Sequence, residues 1–176
     1  MATIHNLRSS LQRDDVKSQV FPWTQVYLAR WPELTRIEDT WDSREWQAKG
    51  VDRVIHLGDR RITIDEKLRG KDFGDICLEY LSSQEKNVPG WVCDPKCEAD
   101  FLAYGIEPTQ HVTFIPFSRL RAAWAQHGAL WVKKYPEIKA HNIGKYGERY
   151  TTLSVGVPKM VLLRAIIEVK SGTRPD

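Results

Sequence analysis

Apolar residues near the start of the chain recur at mixed helical spacings, whereas in its middle they alternate with polar ones. From Asp14 to Leu34 the apolar positions are Val16, Val20, Phe21, Trp23, Val26, Tyr27 and Trp31. Pro22 and Pro32 punctuate them, so the pattern predicts short helical pieces rather than one rod. Residues 36–49 are largely polar, carry Trp41 and Trp46, and read as a turn leading into a helical approach that Gly50 breaks. Three strand-like runs follow, over 51–57, 61–68 and 75–81. In the second, Ile62, Ile64, Glu66 and Leu68 fall on one side and Thr63, Asp65 and Lys67 on the other, as a period of two requires. Gly58-Asp59 is a turn pair that would fold the first two runs into a hairpin, and the third run would complete a meander.

Phe101–Ile106 and His111–Pro116 are further strand candidates. Ser118 is placed to cap a helix carrying Leu120, Ala123, Trp124 and His127, with Gly128 to end it. Residues 132–149, with Pro136, Gly144 and Gly147, read as a long loop. Residues 151–157 read as a strand, and Pro158 opens a last helix through about Val169. Residues 1–11 are expected to be a loose arm and 12–176 a single domain. The element order predicts an α+β (mixed α/β) fold with a central mixed sheet flanked by helices.

Composition narrows the class. The chain has 176 residues, 41% hydrophobic and 28% charged, which suits one globular domain and argues against disorder. No run approaches the roughly 18–20 apolar residues that span a bilayer, and the N-terminus lacks the pattern of a secretory signal. A soluble, cytoplasmic protein with no membrane partner is expected. Net charge is +3, compatible with nucleic acid without demanding it. Arg53, Arg60, Arg61, Lys67, Arg69 and Lys71 gather around one segment. Three cysteines fit a reducing compartment, and Cys93, Cys97 and His111 offer too few ligands for an ordinary zinc site. The seven tryptophans are dispersed, as packing residues are. Trp91, beside Pro89-Gly90, is the one singled out for nucleic-acid contact.

The chemistry-bearing feature is Asp52, then Asp65-Glu66-Lys67, then Glu79. If the two strands pair through Gly58-Asp59, Asp52 and Asp65 stand directly opposite each other. Two carboxylates at about 4 Å repel by roughly 4 kcal/mol at an effective dielectric near 20, so a proton, a lysine or a divalent cation must offset them. Hard oxygen donors suit Mg²⁺ or Mn²⁺ completed by water and substrate phosphates. Lys67 on the same face could orient or help deprotonate an attacking water. The opposing expectation is an alternating strand whose Asp65 and Lys67 simply face solvent.

Gly50-Val51-Asp52-Arg53-Val54-Ile55 followed by Ile62-Thr63-Ile64-Asp65-Glu66-Lys67 resembles the PD-(D/E)XK nuclease superfamily over about residues 38–105. Asp52 matches the first Asp, Asp65 the second acid and Lys67 the lysine, with Val51 where the motif has Pro. The resemblance implies a restriction-endonuclease-like αβββαβ core, phage or bacterial kinship, and Mg²⁺- or Mn²⁺-dependent hydrolysis of DNA or, second, RNA. It implies Asp52, Asp65 and Glu79 as metal ligands, with Lys67 also in the catalytic set. Arg53, Arg69 and Lys71 would contact nucleic acid, and the protein would act as a homodimer. An upstream acid is often added; Glu38, Asp39, Asp42 and Glu45 compete for that place, and Gln47 is a polar neighbour. The alternative is a catalytically inactive nucleic-acid-binding or assembly module of the same fold; a metabolic or structural α+β protein is the remaining one.

Overall fold

The computed structural model describes residues 21–144 and 146–169. The loose arm expected over 1–11, and Val16 and Val20 of the first helical stretch, lie outside the described residues. Four α-helices are found among the described residues: α1 (Trp23–Arg30), α2 (Arg44–Ala48), α3 (Phe117–Lys134) and α4 (Lys159–Glu168). The strands are β1 (Arg36–Asp39), β2 (Arg53–Leu57), β3 (Arg60–Arg69), β4 (Asp75–Ser83), β5 (Val88–Pro89), β6 (Phe101–Ile106), β7 (His111–Pro116), β8 (Glu137–Ile143) and β9 (Arg149–Pro158). The fold is α+β and contains a mixed sheet.

The chain divides into two compact units. The first comprises residues 21–72 and Pro95–Phe117 and holds a five-stranded sheet ordered β1-β2-β3-β6-β7. Pro22 and Pro32 bracket α1, as proline's restrictions predict. β1, β2 and β3 run as an antiparallel meander, β6 joins β3 in parallel, and β7 returns antiparallel to β6. Gly58 turns the β2–β3 hairpin with φ of +61°, a conformation glycine adopts without a Cβ penalty. The aromatic residues of α1 cover one face of the sheet, where Phe21, Trp23, Tyr27, Trp31, Ile55, Leu57, Ile64 and Ala103 form a buried cluster. Trp23 and Tyr27 stack at 5.9 Å, and Trp31 meets Phe114 edge-on at 5.2 Å. These are the offset and T-shaped geometries that aromatic quadrupoles favour.

The second unit comprises Phe73–Asp94 and residues 118–169. Its four-stranded antiparallel sheet is ordered β5-β4-β9-β8. β4 therefore does not extend the meander: alternation at 75–81 specifies a strand but not its partner, and Ile76 pairs with Val157 of β9. The connection from β3 to the parallel β6 holds β4 and β5 where the αβββαβ expectation puts a helix. Residues 137–143, expected in a loop, form the edge strand β8. Helix α3 starts at Phe117, one residue before the expected cap, and runs through Gly128 to Lys134. The helix runs on through Gly128, where the Trp124 indole takes up the side-chain space, its ring carbons 2.8 Å from where a Cβ would stand. Trp131 is buried one turn further on. Among the described residues no helix is long and apolar enough to cross a membrane.

Candidate active site

The β2–β3 ladder pairs Arg53 with Ile64, so the next step beyond it places Asp52 opposite Asp65. Two bonds continue the pairing: the Asp52 N–H donates to Ile64 O at 2.8 Å, and the Glu66 N–H donates to Asp52 Oδ2 at 2.8 Å. The Asp52 carboxylate is close enough to Asp65 for its charge to raise the Asp65 carboxyl. Lys67, two residues along the same face of β3, donates to Asp65 Oδ1 and also lies 3.3 Å from the Glu66 carbonyl oxygen. Thr40 donates its hydroxyl to Val51 O at 2.6 Å, holding the segment just before Asp52.

Asp65 is only 2% exposed, and Val54, Leu102 and Ile115 on the same sheet face are buried too. A solvated decorative face is thereby excluded for this strand. Burial pushes the Asp65 carboxyl from its usual 3.8 up to about 7; Lys67 opposes the rise and the Asp52 charge adds to it. Asp65 is thus poised between the neutral and charged forms near neutrality, and a cation or a proton can balance it.

The other side of β3 carries a second charged group that the sequence pattern marked only as an irregularity. Glu66 lies on the apolar face, its side chain 4% exposed, and accepts from Tyr27 Oη at 2.5 Å and from Arg53 Nε at 3.1 Å. Its second oxygen, Oε2, is buried without a hydrogen-bond partner among the described residues. Burial raises the Glu66 carboxyl to about 7 against the opposing effects of Arg53 and Tyr27. The Tyr27 hydroxyl is raised well above its ordinary value by burial and by the neighbouring Glu66.

Arg53 reaches Asp39 Oδ2 through Nη1 at 2.6 Å, lies over the Trp41 ring, and keeps only 14% of its side chain exposed. Its guanidinium is engaged by Glu66 through Nε and by Asp39 through Nη1. The upstream acids are distributed as follows: Asp39 on Arg53, Glu38 beside Arg36 and His56, and Glu45 on Lys49. Asp42 is exposed. Asp39 thus connects to the site through Arg53. Arg69 ends β3 and Lys71 stands exposed in the turn after it.

Glu79, expected on a neighbouring third strand, lies on β4 of the other sheet, opposite Ser154. Among the described residues no three His, Cys, Asp or Glu side chains are grouped to hold a metal ion. The side-chain donor set on β2–β3 is therefore two carboxylates, each anchored through one oxygen: Asp52 by Oδ2, Asp65 by Oδ1. That falls short of a dedicated cage but matches how Mg²⁺ is commonly held, by one or two carboxylates with water and substrate phosphates completing the shell. Trp91 is half-buried in a turn of the second unit. Comparison with protein-family models, curated proteins and solved structures finds no match to this chain.

Proposed function

We propose that the protein is a Mg²⁺- or Mn²⁺-dependent phosphodiesterase of the PD-(D/E)XK nuclease type, acting on DNA or, second, on RNA. The observation that carries this reading is the opposition of Asp52 and Asp65 on one buried face, with the Lys67 ammonium bonded to Asp65. Asp52 and Asp65 would hold the cation. When bound, it would supply charge stabilisation at a phosphate oxygen and a more acidic water. Asp52 is kept in place by the Glu66 N–H, and Lys67 offers an ammonium that can position water and offset charge growing on the phosphate. Arg69 and Lys71 would supply phosphate contacts whose strength falls with salt. A cytoplasmic location and a homodimer belong to the same reading.

The two-carboxylate count favours a second reading, a nucleic-acid-binding or assembly module in which Lys67 neutralises Asp65 in place of a metal. Cleavage separates the two. Purified protein with Mn²⁺ is expected to cut at least one of duplex, single-stranded or branched DNA, and Lys67→Ala to lose at least 100-fold, about 2.7 kcal/mol of barrier. If wild type binds these substrates but cuts none, the module reading replaces the enzyme.

A further inference from the structure

We propose that Glu66, through Arg53 and Tyr27, is a positioning residue that fixes Asp52 against Asp65. This rests on the reading of Asp52 as a metal-site residue. Asp52 stands one step beyond the last ladder pair of the β2–β3 hairpin, where a strand end frays unless something braces it. The brace lies on the opposite face of the sheet. Arg53 follows Asp52, Glu66 follows Asp65, and the two successors join through an Nε–Oε1 contact of 3.1 Å. They form a diagonal cross-strand pair, since Arg53 stands opposite Ile64.

Two further elements converge on the same pair. Tyr27 of α1 donates to the oxygen that Arg53 uses, and Arg53 carries the link to Asp39 on β1. Glu66 then acts on both faces at once, since its side chain is clamped on the core side while its own N–H holds Asp52 Oδ2 on the other. The clamp is an expensive way to fill a core. Glu66 Oε2 is buried and has no hydrogen-bond partner among the described residues, and a buried ion pair is commonly replaceable by apolar side chains without loss of stability. What apolar residues would not supply is a directional lock between the residues adjoining Asp52 and Asp65.

The test uses Arg53→Met/Glu66→Leu in the full chain, with amide hydrogen exchange and Mn²⁺ titration as readouts. Exchange at the position-66 amide is expected to rise about 10-fold or more while the β6–β7 ladder keeps its protection. Mn²⁺ affinity is expected to fall by about 10- to 100-fold, as when the groups orienting a ligand are removed. Unchanged exchange at position 66 overturns the proposal, and a uniform loss across the five-stranded sheet reduces the network to a structural one. Wild-type protein that takes up no Mn²⁺ overturns the metal reading instead, and the exchange result still decides whether Glu66 positions Asp52. Should the double variant not fold, Tyr27→Phe removes one arm of the clamp, with about a 3-fold local rise in exchange expected; no rise overturns the proposal.

Discussion

Asp52 and Asp65 face each other one residue past the end of the β2–β3 ladder, and each is anchored through a single oxygen by a different partner. The Glu66 N–H holds Asp52, and the Lys67 ammonium holds Asp65. Asp52 is fixed by backbone, so its place depends on strand register. Asp65 is fixed by a side chain that is 33% exposed and able to move.

Asp65 gives the metal-free protein a defined pH response. Its carboxyl titrates at about 7 when folded against a usual 3.8, so the folded state binds the proton more tightly. The stabilisation is fully present below about 3.8 and is lost as pH rises towards 7, each unit of difference being worth about 1.4 kcal/mol. In EDTA, Asp65→Asn is expected to show a flatter decline of Tm than wild type across that window. Parallel profiles would show that Asp65 does not titrate there.

The second sheet should respond to acid in the opposite sense. The Thr151 N–H donates to Glu85 Oε2 at 2.8 Å and holds that carboxyl from its usual 4.5 down to about 2. Its contribution is present above about 4.5 and disappears as pH falls towards 2. Glu85→Gln should therefore lower stability at neutral pH slightly and flatten the acid limb of the Tm profile, as read by circular dichroism.

Where β3 meets β6, Asp100 Oδ2 accepts from both the N–H and the hydroxyl of Thr63, at 2.8 and 2.9 Å. Asp100→Ala leaves two donors of a buried residue without that acceptor, an expected cost of about 1–3 kcal/mol in urea denaturation. In a double-mutant cycle with Thr63→Val the two losses should be clearly less than additive. Additive losses would mean the pair does not act as one latch.

The hairpin was legible because its signal is local. Alternation from Arg61 to Leu68, broken only at Glu66, and a two-residue turn fix both faces and register, and register places Asp52 opposite Asp65. The third strand was legible as a strand but not in its partner, because Leu78 pairs with Val155, far along the chain. β1 and β8 were missed since edge strands need few apolar residues: β1 reads Arg-Ile-Glu-Asp, and β8 alternates Glu137, Lys139 and His141 with Ile138, Ala140 and Asn142. Gly128 reads as a stop in sequence, whereas in the structure it makes room for the Trp124 indole within the helix. Glu66 left the one usable trace, a charge on the apolar side of an otherwise clean alternation. A buried acid needs partners, and Tyr27 and Arg53 are those partners.

Calorimetric titration of Mn²⁺ into wild type and Asp52→Ala at neutral pH decides whether Asp52 and Asp65 form a metal site. The expected result is saturable binding by the wild type that is lost when Asp52 is removed. No binding by the wild type, or binding that survives in Asp52→Ala, would contradict the assignment of Asp52 and Asp65 as a metal site.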